Sequence, residues 1–149
     1  MTNVIICNKS ECDICIHKLG KMKTDIEQPS DIQKLVNEFY ANVRKDPVIG
    51  DIFIERITDW SAHLAKMYRF WETVLLEVHS YSGSPFPPHA QMSLTATHFD
   101  RWLAIWKETV NMYFEGEKAK EAKWRGEAMA AMFLSKIEFY RENKLKPLL

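Results

Sequence analysis

The sequence of 149 residues contains few glycines, few cysteines and no long hydrophobic run. Five glycines among many Glu, Lys and Arg residues favour helices over sheets. The longest uninterrupted apolar run, residues 128–134, is too short to cross a membrane. The N-terminus also lacks the basic start and the apolar stretch of a signal peptide. These absences predict a cytoplasmic protein with no membrane partner.

Cysteine is confined to the first fifteen residues, and its odd number excludes a framework of disulfides. A C-x4-C-x2-C-x-H pattern is formed by Cys7, Cys12, Cys15 and His17. Three thiolates and an imidazole can bind zinc, whereas plant-type iron–sulfur spacing requires a fourth cysteine. Ile16 also separates the pattern from the C-x-x-C-H of covalent haem attachment. We predict a reduced extension over residues 1–29, with a second metal site and thiol redox chemistry as the alternatives.

Charge of either sign is not in excess, because twenty basic residues balance twenty acidic ones. No net field therefore attracts nucleic acid, and no predicted helix collects Lys and Arg on one face as a helix-turn-helix regulator would. The sequence also lacks a Walker loop, GxGxxG, GxSxG, HExxH and ExxH. These absences argue against the common phosphate-loop, dinucleotide-binding, hydrolase and helix-borne zinc or di-iron sites.

Apolar residues at helical spacing indicate an all-α domain over residues 30–149, with four principal helices. The first is predicted to begin at Ser30, with Gln33 completing a capping box, and to end at Asp46-Pro47. A short turn follows, and the second helix covers about residues 59–79.

The third predicted helix begins at Thr95 or Thr97 and is closed by Gly116. The fourth covers about residues 117–142. Val78 is expected on the buried stripe of the second helix and Met132 on that of the fourth.

The loop before His89 is stiffened by three prolines: Pro85, Pro87 and Pro88. Pro88 at the first helical position is expected to start a short turn that presents this imidazole. A single imidazole is how a haem iron is held when one axial position must stay open. Polar groups facing that open position would come from Tyr40, His63 and Trp102, each on a different long helix. Taken singly, each of these residues is more typical of an ordinary turn or core position than of a site.

Several motifs occur together in order: FYANVRKDPVIGDIF (39–53), W-x-x-H (60–63), RFW and LL (69–76), YSGSP and PPH (81–89), and FDRWLAIW (99–106). In this combination the sequence resembles the group III truncated haemoglobins, a bacterial branch of the globins. The resemblance covers about residues 30–140. It implies a truncated globin-like two-over-two helical sandwich around haem b.

The resemblance also implies a role for each matching residue. His89 would be the proximal iron ligand, and the distal groups would be Tyr40, His63 and Trp102. Met67 would close the distal pocket, and Lys66 would meet a haem propionate. The remaining haem-pocket residues would be Phe39, Phe53, Phe70, Trp71, Phe86 and Phe99.

The expected function is binding of O2, CO and NO by a monomer. A phenol and an indole N–H beside the ligand would slow its escape, so capture or chemistry is expected over simple oxygen transport. One alternative is an enzyme, an NO dioxygenase or a peroxidase served by an unknown reductase, and nitrite is another candidate reactant. A second alternative is a helical sensor or interaction domain without open-site haem chemistry.

Overall fold

The computed structural model describes residues 22–144, which fold into five α-helices. They are α1 (Pro29–Val43), α2 (Gly50–Arg56), α3 (Trp60–Leu76), α4 (Ala96–Tyr113) and α5 (Glu117–Glu142). Helix α1 packs against α3 and α4, and α4 packs along α5. In this part of the chain the only strand-like pairing is an isolated bridge between Thr24 and Phe114. The all-α prediction is confirmed, and none of the described helices is long and apolar enough to cross a membrane.

Helix α1 begins earlier than predicted, with Gln28 as its cap and Pro29 as its first residue. The carboxylate of Asp31 accepts hydrogen bonds from the backbone N–H groups of Glu27 (3.0 Å) and Gln28 (3.1 Å). The predicted cap at Ser30 is wrong because proline suits the first helical position, where no N–H partner is required.

Helix α3 was predicted to begin at about Asp59, which is its N-cap, and the Asp59 carboxylate accepts a hydrogen bond of 3.0 Å from the N–H of Ala62. It ends at Leu76, earlier than predicted, because Glu77 adopts a left-handed conformation with φ of 57°. Val78 therefore leaves the helix and is 43% exposed, which contradicts its predicted burial.

Gly116 opens α5 and does not close α4 as predicted. Its φ of +143° favours glycine, and an added Cβ would lie 2.4 Å from Cγ of Asp25. The Asp25 carboxylate occupies this space because it accepts hydrogen bonds of 2.8 Å from the N–H groups of Lys118 and Ala119, at the start of α5. Asp25 thus ties the segment before α1 to the last helix.

The described residues bury their apolar side chains in two clusters. The main cluster joins α1, α3, α4 and the start of α5, and it includes Ile26. The smaller cluster joins the proline loop to α5 and consists of Phe86, Ala90, Leu94, Phe133 and Ile137. Met132 is 44% exposed and its predicted burial is wrong, because the buried face of α5 runs through Ala130, Phe133 and Ile137.

Trp106 lies at the centre of the main cluster, and its indole N–H donates a 2.8 Å hydrogen bond to the carbonyl of Ala122. Its ring stacks on Trp71 with a centroid distance of 4.3 Å and lies nearly parallel to Trp102 at 6.0 Å. An added Cβ at Gly126 would lie 2.7 Å from Trp106, so α5 approaches this ring closely. The fixed Trp106 ring supports the two tryptophans that face the cavity described below.

Candidate functional site

A cavity of about 440 Å³ is lined by residues from all five helices and from the proline loop. This volume falls in the range of roughly 300–1,000 Å³ that is typical of ligand pockets. The structure brings nearly all the predicted site residues together on its wall: Phe39, Tyr40, Phe53, His63, Lys66, Met67, Phe70, Trp71, His89, Phe99 and Trp102.

His89 enters this cavity from a single 3-10 turn, Pro87–His89. The turn starts at Pro87, one residue before the predicted Pro88, and is closed by a 2.8 Å hydrogen bond from the His89 N–H to the carbonyl of Phe86. Prolines limit the conformations open to this loop and so define the direction of the imidazole.

The tautomer of His89 follows from one hydrogen bond. Its Nδ1 lies 2.8 Å from the carbonyl oxygen of Pro85. A carbonyl only accepts, so Nδ1 carries the proton and donates, and Nε2 keeps a free lone pair. Burial lowers the pKa of His89, which favours the neutral ring. A neutral imidazole oriented in this way is a typical metal ligand.

Tyr40 from α1 and His63 from α3 meet at the α1–α3 side of the cavity. Their ring centroids are 5.0 Å apart and the planes cross at 86°. Burial raises the pKa of Tyr40, so the phenol remains a protonated donor. Burial also lowers the pKa of His63, and its buried Nε2 has no hydrogen-bond partner among residues 22–144. A buried polar atom without a partner is costly and often marks a ligand site.

Trp102 joins this group from α4, with its ring 5.5 Å from that of Phe39. The three distal residues that the resemblance implies therefore come from three helices and line one cavity. An indole N–H and a phenol are donors, so a ligand with acceptor atoms suits this wall.

The donor set fits haem better than a free metal ion. Over residues 22–144, no three His, Cys, Asp or Glu side chains converge to form an ion site. One imidazole can bind a metal that carries its other ligands with it, as iron does in a porphyrin. The flat aromatic walls suit a planar apolar group, and the unpartnered Nε2 of His63 suits a polar ligand of the metal.

Basic side chains other than Lys66 also line the cavity. The positive charges of Arg56 and Lys66 lie near enough to lower the pKa of His89, an effect secondary to burial. Arg56 was missed because α2 was predicted as a turn. His98 was missed because only the folded structure shows that the first turn of α4 borders the cavity, where its Nδ1 also accepts a 3.0 Å hydrogen bond from the N–H of Thr95.

Other wall residues were not predicted as site residues. They come from α2 and its N-cap, from the loop between α3 and α4, and from α5. They include Ile49, Ile52, Tyr81, Met92, Leu94, Met129 and Phe133. Periodicity placed Met129 and Phe133 on the buried face of the last helix, and this was a signal that could have identified them.

Phe86 does not line the cavity, in contrast to the expectation from the resemblance. It lies behind the His89 turn, with its ring 5.4 Å from Phe133 and 6.1 Å from Tyr140. The turn directs His89 into the cavity and leaves Phe86 facing α5. The predicted second site at Cys7, Cys12, Cys15 and His17 lies outside the described residues.

Comparisons with known proteins agree with this geometry. The family model for bacterial-like globins matches residues 25–135. A group 3 truncated haemoglobin of Campylobacter jejuni is 30% identical over 124 residues, which cover 80% of this chain and 98% of the relative. The crystal structure of a group III truncated haemoglobin from Campylobacter jejuni matches with a TM-score of 0.70 and 30% identity, covering 78% of this chain and 95% of that one. The chain therefore belongs to the bacterial-like globin family as a group III truncated haemoglobin, which makes it a haem protein that binds diatomic ligands.

Proposed function

We propose that the protein holds haem b through His89 alone and retains O2 with polar groups on the opposite side of the cavity. When bound, haem b would supply an iron that binds a diatomic gas. The observation that carries the proposal is the hydrogen bond from Nδ1 of His89 to Pro85, which reserves Nε2 for the metal.

His89 is prepared for this role before any ligand arrives. Burial keeps the imidazole neutral, and the Pro85 carbonyl holds both its tautomer and its ring orientation. A hydrogen bond at Nδ1 also raises the basicity of Nε2, which strengthens its bond to a metal. A neutral imidazole donates less electron density than a thiolate, so the site favours ligand binding over P450-type oxygenation.

Tyr40, His63 and Trp102 would act on the gas as hydrogen-bond partners. The Tyr40 phenol remains protonated because burial raises its pKa, so it can donate to a ligand oxygen. Nε2 of His63 has no hydrogen-bond partner in the described part of the chain, and a bound ligand would satisfy it. Such donors in an apolar cavity slow the departure of O2, which supports retention over transport.

The same donors favour a second candidate, which is turnover of NO, peroxide or nitrite. Hydrogen bonds that stabilise developing negative charge on a ligand lower the barrier to its reaction. Turnover requires electrons, and we propose that a separate reductase supplies them. Consumption of NO or peroxide by the purified protein, with and without an added reductant, separates an enzyme from a gas-binding protein.

The decisive experiment compares visible absorption spectra of the ferric, ferrous and CO forms with those of a His89→Ala variant. We expect His89→Ala to lose the histidine-ligated ferrous spectrum and to recover it in part when imidazole is added. His79→Ala is the matched control, because His79 is exposed and does not line the cavity. An unchanged spectrum in His89→Ala would contradict the proposal. A wild-type protein that stays colourless with hemin would instead support the sensor alternative.

A further inference from the structure

The segment that carries His89, residues 85–94, is fastened near both ends to the C-terminal turns of α5. Near its start, the ring of Phe86 packs between Phe133 and Tyr140. At its end, the carbonyl of Leu94 accepts a 2.7 Å hydrogen bond from the guanidinium of Arg141. Between these two points, the His89 ring lies 4.9 Å from that of Phe133.

These contacts form a packing unit separate from the one that holds the distal residues. Phe86 and Leu94 belong to the smaller cluster with Phe133 and Ile137. Tyr40 is part of the main cluster, and Trp102 packs against that cluster. The two sides of the cavity are thus held mainly by different clusters, which share Met129.

Polar contacts as well as apolar ones hold residues 85–94 against α5. The Lys136 ammonium lies 4.9 Å from the centroid of the Phe86 ring, within the distance of a cation–π contact. The bond from Arg141 to Leu94 is charge-assisted and therefore stronger than one between neutral groups. The α5 residues involved lie at positions i, i+3, i+4, i+7 and i+8 and so share one helix face: Phe133, Lys136, Ile137, Tyr140 and Arg141.

We propose that Arg141 and Phe86 are positioning residues that set the tilt and the reach of His89. The inference rests on the proposed function of His89 as the iron ligand. By holding Leu94, Arg141 limits how far the segment can move away from α5. Phe86 packs against Phe133 and Tyr140 of α5 and so fixes the start of the turn. Together they determine how well Nε2 of His89 is aimed at the metal.

The test is the iron–histidine stretching band of the ferrous, unliganded holoprotein, measured by resonance Raman spectroscopy. We expect Arg141→Ala to broaden the band and lower its frequency, because the Leu94 end of the segment is released. Arg141→Lys keeps a cationic donor and should restore most of the band. Arg125→Ala is the matched control, because Arg125 is exposed on the same helix and pairs with Glu121.

Two further readouts separate positioning from general loss of stability. Transfer of haem to excess apomyoglobin should be about tenfold faster in Arg141→Ala, as expected for a lost charge-assisted hydrogen bond. Hydrogen exchange at the N–H of Met92, which bonds to the carbonyl of His89 at 3.0 Å, should also accelerate while exchange within α4 stays unchanged. Phe86→Leu keeps the segment apolar but removes ring stacking, and it serves if Arg141→Ala does not fold.

The outcomes distinguish this inference from the proposed function. A histidine-ligated iron with the wild-type band in both Arg141→Ala and Phe86→Leu overturns the positioning role and leaves His89 as the ligand. A wild-type holoprotein without any iron–histidine band overturns the proposed function instead. A band that shifts equally in Arg125→Ala shows a general effect of charge and also overturns the inference.

Discussion

Tyr40 is buried and lines the cavity, so its substitution tests directly whether a wall residue retains the ligand. Tyr40→Phe keeps the ring that packs against Phe39 at 4.9 Å and Trp60 at 5.9 Å, and it removes only the hydroxyl. We expect the O2 dissociation rate to rise about tenfold, which corresponds to one lost hydrogen bond of about 1.4 kcal/mol. Stopped-flow measurement of O2 release in the ferrous protein checks this.

The control for that measurement is Tyr113→Phe. The hydroxyl of Tyr113 donates a 3.0 Å hydrogen bond to Glu38, and the residue does not line the cavity. Its loss should leave the O2 dissociation rate unchanged. If Tyr40→Phe also leaves the rate unchanged, Tyr40 has no part in ligand retention.

Asp46 is a buried carboxylate whose charge contributes to stability. Burial alone would raise the pKa of Asp46, but hydrogen bonds from Arg101 (2.6 Å) and from the N–H groups of Val48 and Ile49 lower it below its usual value. A lowered folded-state pKa means that the stabilisation is complete above the unfolded pKa of about 3.9 and is lost as the pH falls through the folded value.

Asp46→Asn should therefore reduce the free energy of unfolding by roughly 1.5–3 kcal/mol near pH 6, the value of hydrogen bonds to a charged group. The difference from wild type should shrink as the pH falls below about 3.9. Urea unfolding at several pH values measures this, with Asp51→Asn, an exposed carboxylate in α2, as the control. A difference that stays constant with pH would show that the charge of Asp46 does not stabilise the fold.

At the residue scale, the sequence predicts that a residue lines the cavity when the residues around it form a distinctive pattern. His89 is marked by the prolines before it, and Tyr40 and Trp102 lie on clear helical stripes. Arg56 and His98 carry no such mark, because their place at the cavity depends on how α2 and α4 dock. The resemblance placed Phe86 in the haem pocket, whereas in the structure its ring packs against α5.

At the scale of elements, α5 approaches α4 so closely at Gly126 that alanine is expected to destabilise the protein there, although alanine favours a helix more than glycine does. Alanine normally stabilises a helix interior by about 1 kcal/mol relative to glycine. Here an added Cβ would lie 2.7 Å and 2.8 Å from ring atoms of Trp106, which is held by its bond to Ala122. We expect Gly126→Ala to lower the free energy of unfolding by about 1–3 kcal/mol, as overpacking does.

Urea unfolding and the near-ultraviolet circular dichroism of the stacked tryptophans check this prediction. Ser135→Ala is the control, since Ser135 is exposed on the same helix and the substitution adds no heavy atom. A stabilised Gly126→Ala with an unchanged dichroism spectrum would mean that Trp106 moves aside easily. In that case Trp106 would not be the fixed support of Trp71 and Trp102.

Helix boundaries were predicted correctly where the local sequence determines them and wrongly where tertiary contacts do. The bounds of α5 were predicted correctly, because its apolar spacing is long and regular and the helix has no proline. Gly116 was assigned to the wrong helix, because a glycine with positive φ suits both a helix end and a helix start, and Asp25 decides between them from far away in the chain. The helical form of residues 50–56 was missed, since seven residues give too few turns for a periodic pattern.

On the scale of the whole molecule, the segment before α1 takes part in the globin domain. Ile26 is 1% exposed and lies in the main cluster, and Asp25 binds the start of α5. The sequence division at residue 29 assigns both to the extension. Composition cannot detect this packing, because one buried isoleucine and one capping carboxylate look ordinary in a segment without periodicity.

Two N-terminal truncations test this packing. Removal of residues 2–21 keeps every residue that the structure describes, and its unfolding midpoint in urea is the reference. Removal of residues 2–28 also deletes Ile26, whose burial contributes about 1.5–3 kcal/mol, and Asp25, whose capping contributes about 1 kcal/mol. We expect the longer truncation to lower the urea midpoint clearly. Ile26→Ala and Asp25→Ala in the full chain should each reproduce part of this loss. Equal midpoints for the two truncations would show that the globin domain begins at α1 and does not use residues 22–28.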